Sequence, residues 1–267
     1  MKKWLKISLW SLFTIGVIVL MVLVQQYRNG KIIGLPEITI NVDGEDDFIT
    51  EKELILKLKR ANLIYDGQKS EQVKSEAIQE FLNQITQVKE ATVFQQINGI
   101  IRIDLRLRKP IARVFNKKGE SFYLDTDGFF IKTTPTHTAR CLVVTGDIEE
   151  GLANENVPEI INNDSLKSIR KLDDVYRISS YVCNDALFHS LIGQIHLEKN
   201  GDFKLKPLVG DQVIVFGSAF SEEEVAEKFE KLRVFYKEAI PYEGWAKYEE
   251  ISLKFNGQIV CKKKSTD

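Results

Sequence analysis

Asp125-Thr126-Asp127-Gly128 is the stretch of this 267-residue chain whose residue types come closest to metal chemistry. An Asp-x-Asp-Gly run matches the opening of a calcium loop, where spaced oxygens and a tight glycine turn surround the ion. Such a loop needs another oxygen ligand before its glycine and a glutamate about twelve positions along, where Thr136 stands. Without them the run reads as a hairpin turn, which Asp and Gly supply equally well. His137 and Cys141 are four apart, but no second pair completes a tetrahedral set, so they read as a loop histidine beside a strand cysteine. His189 and His196 have no serine or cysteine nucleophile pattern near them. Gly217-Ser218 lacks the Gly-x-Ser-x-Gly frame of a nucleophile elbow, and no Gly-x-x-x-x-Gly-Lys phosphate loop occurs. Glu222-Glu223-Glu224 reads as acid at a helix amino end, where the dipole favours it. Cys141, Cys183 and Cys261 are widely spaced and odd in number, which leaves one disulfide open without selecting it. The residues thus predict no enzyme: no catalytic set, no cofactor and no metal.

With no chemistry to run, function falls to surfaces. A net charge of −1 argues against a nucleic-acid binder, which needs a basic face to displace counterions. Strand edges are the surfaces that a sequence can locate, because an unpaired edge exposes backbone donors and acceptors to which a partner adds a strand. The terminal hairpin, Glu249–Phe255, Asn256-Gly257 and Gln258–Cys261, is the candidate. Alternation puts Ile251, Leu253 and Phe255 on one face, and Lys262-Lys263-Lys264 follow as a charged stop against self-association. On the residues alone this hairpin reads equally as an acceptor edge or as core strands with a covered edge. Trp245 and Tyr248 lie nearby and read either as anchors for a partner helix or as core.

The elements that must carry this hairpin begin at the amino end. Ile7–Val24 holds no charge, and about 18 residues at roughly 1.5 Å each span about 27 Å, close to a bilayer's hydrocarbon thickness. No small-residue cleavage site follows, so the reading is a retained transmembrane anchor at 7–24 and not a signal peptide. Lys2, Lys3 and Lys6 place a cytoplasmic tail at 1–6, with a linker at 25–34 and the bulk of the chain outside. Between 35 and 108 the order is strand, helix, helix, strand, strand: Ile38–Val42 closed by Asp43-Gly44, a helix capped by Thr50 and Glu53, a second opening at Ser70, then a hairpin through Asn98-Gly99. Ile101, Ile103, Leu105 and Leu107 alternate with Arg102, Asp104, Arg106 and Arg108, which predicts a strand with one buried and one wet face. Lys109-Pro110 is a seam, since proline belongs at a strand start or junction. From 109 to 267 follow nine short strands and two helices, one from Ser165 to Val182 and one capped by Ser221 with Glu224. The expected class is α+β: an apolar anchor, an α/β module, and a β-rich domain with two or more helices on an antiparallel sheet.

Ile38-Thr-Ile-Asn-Val-Asp-Gly, Val88-Lys-Glu-Ala-Thr-Val and Pro110-Ile-Ala-Arg-Val, in that order behind an anchor, resemble the POTRA module of the FtsQ/DivIB cell-division family. Tyr123-Leu-Asp-Thr-Asp-Gly-Phe-Phe, Val213-Ile-Val-Phe-Gly and Ile251-Ser-Leu-Lys-Phe-Asn-Gly-Gln-Ile-Val resemble the strands of that family's β domain. Where the family usually has Asp-Leu-Arg-Tyr, this chain reads Ser252-Leu253-Lys254-Phe255. The resemblance implies a POTRA domain at 35–108 and a β domain at 109–267. It also implies a divisome scaffold of the bacterial inner membrane that acts in the periplasm at the septum. The implied partners are FtsB (DivIC)-type and FtsL-type coiled-coil proteins and, through them, the septal peptidoglycan synthase complex, with no nucleic acid and no small-molecule substrate. Partner binding carries over to the terminal strands, with Lys254, Phe255, Asn256 and Gly257 on that segment, Ile251 and Leu253 before it, and Trp245 and Tyr248 beside it. POTRA modules also occur in envelope protein transport and assembly, so a receptor of that kind is the alternative.

Overall fold

The computed structural model describes residues 2–30, 32–42, 49–96, 98–135, 137–151 and 171–264. The Asp43-Gly44 turn, Thr136 and the part of the expected helix before Lys171 lie outside them. Two compact units divide between Leu107 and Arg108.

Helix α1 (Lys2–Asn29) contains Ser8–Gln26, 19 residues of mean hydropathy 2.1, long and apolar enough to cross a membrane. Its Leu12, Ile15, Leu20 and Met21 side chains are exposed, as befits a helix whose apolar surface has no protein to bury it. The hydroxyls inside this stretch are satisfied by the helix itself: Ser11 Oγ donates to the Ser8 carbonyl at 2.8 Å and Thr14 Oγ1 to that of Ser11 at 2.9 Å.

The rest of the first unit is β1 (Glu37–Val42), α2 (Glu51–Arg60), α3 (Ser75–Asn83), β2 (Val88–Gln95) and β3 (Ile101–Leu107). Thr50 and Glu53 form a reciprocal capping box, each side chain accepting from the other's N–H at 3.3 Å. Ser70 opens a three-residue 3-10 turn, not the expected helix; Val73 is extended, and α3 starts at Ser75. In the sheet β3 is central, parallel to β1 and antiparallel to β2. Ile101, Ile103, Leu105 and Leu107 are all at most 1% exposed and meet Leu54, Leu58, Ile78 and Leu82 of the helices. The wet face carries Arg106 on Glu90 at 2.8 Å, so the alternation legible in the sequence sets the layer order.

The second unit is built on one nine-stranded sheet. Its strands are β4 (Pro110–Phe115), β5 (Ser121–Asp125), β6 (Phe130–Lys132), β7 (Leu142–Gly146), β8 (Ile192–Leu197), β9 (Phe203–Pro207), β10 (Val213–Gly217), β11 (Tyr248–Ser252) and β12 (Val260–Lys263). Their order is β12-β11-β10-β9-β8-β7-β4-β5-β6. The sheet is mixed and not the expected antiparallel one: β4–β7, β7–β8 and β10–β11 run parallel. For β7–β8 and β10–β11 the reason is the crossovers, since a strand that returns through a helix on one face comes back in the same direction. Helices α4 (Lys171–Asn184) and α5 (Ala186–Leu191) lie between β7 and β8, and α6 (Glu222–Val234) lies between β10 and β11. Phe229 of α6 anchors the core between Tyr181, stacked at 4.5 Å, Phe188 at 4.7 Å and Phe216 at 5.1 Å.

A buried charge cluster ties α4 to the loop before α6. Arg177 pairs with Asp173 and, at 2.7 Å, with Asp174, and donates to the Ala219 carbonyl at 2.6 Å. Burial pushes the Asp174 carboxyl above its ordinary range, although Lys171 and Arg177 oppose it.

Candidate functional site

Asp125 lies in a hairpin turn. Its carbonyl accepts from Gly128 at 3.0 Å, Gly128 has φ +81°, and Asp125 Oδ1 accepts the Asp127 and Phe129 N–H groups at 2.9 and 2.7 Å. Arg108 completes the carboxylate at 2.7 Å and lies 4.0 Å over the Phe129 ring. This is the chemistry of a fixed turn at the start of the domain. Cys141, Cys183 and Cys261 are all half-buried, and burial raises the Cys261 thiol above its ordinary value. His196 Nδ1 lies 3.0 Å from Thr145 Oγ1 on an adjacent strand of the sheet.

The terminal hairpin forms one end of the nine-stranded sheet, and β12 is the edge strand, with β11 between it and β10. Ser252 stands opposite Val260, Ile251 opposite Cys261 and Glu250 opposite Lys262, and the register shifts between Tyr248 and Glu250. A bulge there adds twist near the edge. Lys262 pairs with Glu249 at 2.9 Å, and this hydrogen bond and charge raise the lysine's pKa.

The expected run Ile251–Phe255 does not stay in the sheet. The ladder ends at Ser252, the Leu253 N–H donates to the Val215 carbonyl at 2.9 Å, and the chain turns through Gly257 at φ +69°. Ile251 and Leu253 are therefore fully buried, whereas Phe255, of the same alternation, is 48% exposed beside exposed Lys254, Asn256 and Gly257. Ile251 and Leu253 fix the hairpin to the core, and Phe255 projects from it. Trp245 is partly exposed and stacks on Tyr236 at 5.3 Å, while half-buried Tyr248 lies 5.8 Å from Phe235. Both aromatics thus lean on the body of the domain.

Two lysines hold the turn in place. Lys231 Nζ of α6 donates to the Phe255 carbonyl at 3.2 Å, and Lys254 reaches Asp202 at 2.6 Å. They border a polar cavity of about 210 Å³ that also meets Lys228 and Glu224. On the other side of the turn lies an open apolar groove of about 540 Å³, floored by Val234, Phe235, Ala239 and Ile259 and rimmed by Glu230 and Glu238. The groove follows a π-helical turn, Phe235–Ala239, that bridges α6 to the short α7 (Ile240–Glu243). Pro241 has no N–H to continue the regular ladder, which is the sequence signal for that irregularity. Neither the groove nor the lysine tethers was singled out from the sequence, because each joins residues far apart in the chain.

The arrangement offers a backbone edge, a projecting aromatic and an adjoining apolar groove, all suited to a peptide partner. Residues 109–262 match the family model described as FtsQ/DivIB, C-terminal related. Residues 36–106 match a POTRA-like domain model. No curated protein matches the chain.

Proposed function

The chain belongs to the FtsQ/DivIB C-terminal related family, and from that premise we propose that it is a non-enzymatic, single-pass scaffold of the bacterial division machinery. Helix α1 is its anchor in the cytoplasmic membrane, with the amino end inside and the two folded units, a POTRA domain at 35–108 and a β domain at 109–267, in the periplasm at the septum. The β12 edge and the turn after β11 receive FtsB (DivIC)-type and FtsL-type partners, and through them the septal wall-synthesis complex. The strand-addition mode is supported by the place of β12 at the end of the sheet, with no further strand beyond it among the described residues. Phe255, Lys254, Asn256 and Gly257 contact the partner, Trp245 and Tyr248 border it, and Ile251 and Leu253 seat the hairpin. The observation that carries this reading is the family match across 109–262, which takes in the terminal hairpin as far as Lys262. Depletion of the protein is expected to give filamentous cells, and a fluorescent fusion is expected to gather at the division plane. Normal division after depletion, with the fusion spread evenly over the envelope, overturns the proposal in favour of an envelope-transport receptor.

A further inference from the structure

Among the described residues the two sheets end in four edge strands, β1, β2, β6 and β12. The outward side of β2, away from β3, is occupied by side chains of α3. The Ala91 N–H donates to Asn83 Oδ1 at 2.9 Å, and the Val93 N–H donates to Gln79 Oε1 at 3.1 Å. Ala91 and Val93 are two apart in the strand, opposite Leu105 and Ile103, so their amides point to the same side, away from the ladder. Gln79 and Asn83 are four apart on the helix, so they rise one above the other by about 6 Å, close to the roughly 6.8 Å between alternate strand residues. A carboxamide presents the same carbonyl acceptor as a peptide group. Helix α3 thus places two acceptors where an added strand would put its own.

The strand so covered needs covering. Val88–Gln95 contains no proline or glycine, and it carries Phe94 exposed at 42% on its wet face. An extended edge of this kind is a template for pairing with its own copy. The opposite case is β12, where Lys262, Lys263 and Lys264 set like charges along the edge but leave the backbone row open to a strand of different charge.

We propose that Gln79 and Asn83 are an edge guard that keeps β2 of one copy from pairing with β2 of a second copy of this chain. Removal of the guard lets the two three-stranded sheets join edge to edge, and anchoring by α1 concentrates the copies in one plane. This inference is independent of the partner proposed for β12.

The test compares the full chain in detergent micelles with its Gln79→Ala/Asn83→Ala variant. Sedimentation equilibrium should show self-association tightened by about tenfold or more in the variant. Amide exchange at Ala91 and Val93 should accelerate at low protein concentration and slow again as the dimer forms. Adding Thr92→Lys, at an exposed position on the wet face of β2, should restore the weaker association by placing like charges together. Unchanged exchange at Ala91 and Val93, association equal to that of the parent chain, or association that persists with Thr92→Lys overturns the guard.

Discussion

Phe255→Glu isolates the proposed partner surface from the fold. Phe255 is 48% exposed, and its link to α6 is a backbone one, the carbonyl accepting from Lys231. The substitution should therefore change the stability of the β domain by no more than about 0.5 kcal/mol. A buried phenylalanine covers about 200 Å², so the 48% left exposed makes about 100 Å² available to a partner. At about 25 cal/mol per Å² that area is worth about 2.5 kcal/mol, or a loss of about 50-fold in affinity. The assay is biolayer interferometry of the Leu35–Asp267 fragment against an immobilised extracytoplasmic segment of the FtsB-type protein. Thermal unfolding of both fragments serves alongside as the fold control. Phe255→Leu should retain most of the affinity, since it keeps an apolar side chain at the same place. Val234→Glu, in the lining of the apolar groove, should weaken binding in the same way. If Phe255→Glu binds as tightly as the parent fragment while both unfold together, the turn after β11 is not the contact surface.

Arg108→Leu should destabilise the β domain by about 3 kcal/mol in urea unfolding, because it strands the Asp125 carboxylate, which is 1% exposed. Phe229→Ala opens the four-ring cluster and should cost about 3–5 kcal/mol, seen as a fall in Tm of about 10 °C or more. Burial works against ionisation of Glu224, yet hydrogen bonds from Lys228, Ser218 and the Phe220 N–H outweigh it and hold its carboxyl below the ordinary value of 4.5. Its stabilisation is therefore complete above that value and is lost as pH falls through the lowered one, so Glu224→Gln should flatten the decline in unfolding free energy as pH falls below the ordinary value. Thr50→Ala removes the capping box of α2 and should cost the first unit about 1 kcal/mol in denaturant unfolding, without moving the transition of the second.

Much of the fold was legible because it is local. The alternation Ile101–Leu107 fixed which face of β3 is buried, and Thr50, Asp185 and Ser221 cap their helices through neighbours two or three residues on. Asp185 went unremarked in the sequence, yet aspartate is among the preferred N-cap residues, and it caps without the glutamate that marks Ser221. The turns at Gly128 and Gly257 were equally readable, since each needs a positive φ that glycine adopts without strain. The site was legible only as a stretch. Ile251, Leu253 and Phe255 share one alternation, but the ladder stops at Ser252, and that stop buries two of them and exposes the third.

By itself the sequence determined the apolar helix near the amino end, the order of elements in the first unit, the hairpins of the second, and the family that the terminal strands resemble. Only the tertiary structure decided that β10 and β11 run parallel, that β12 is the edge, that Asp173 and Asp174 are buried around Arg177, and that Gln79 and Asn83 cover β2. The physical reason is range. Periodicity, caps and turn residues act over a few positions, and the chain records them directly. Strand direction, edge exposure and a side chain's distant partner depend on which segments meet across tens of residues, and packing alone settles that.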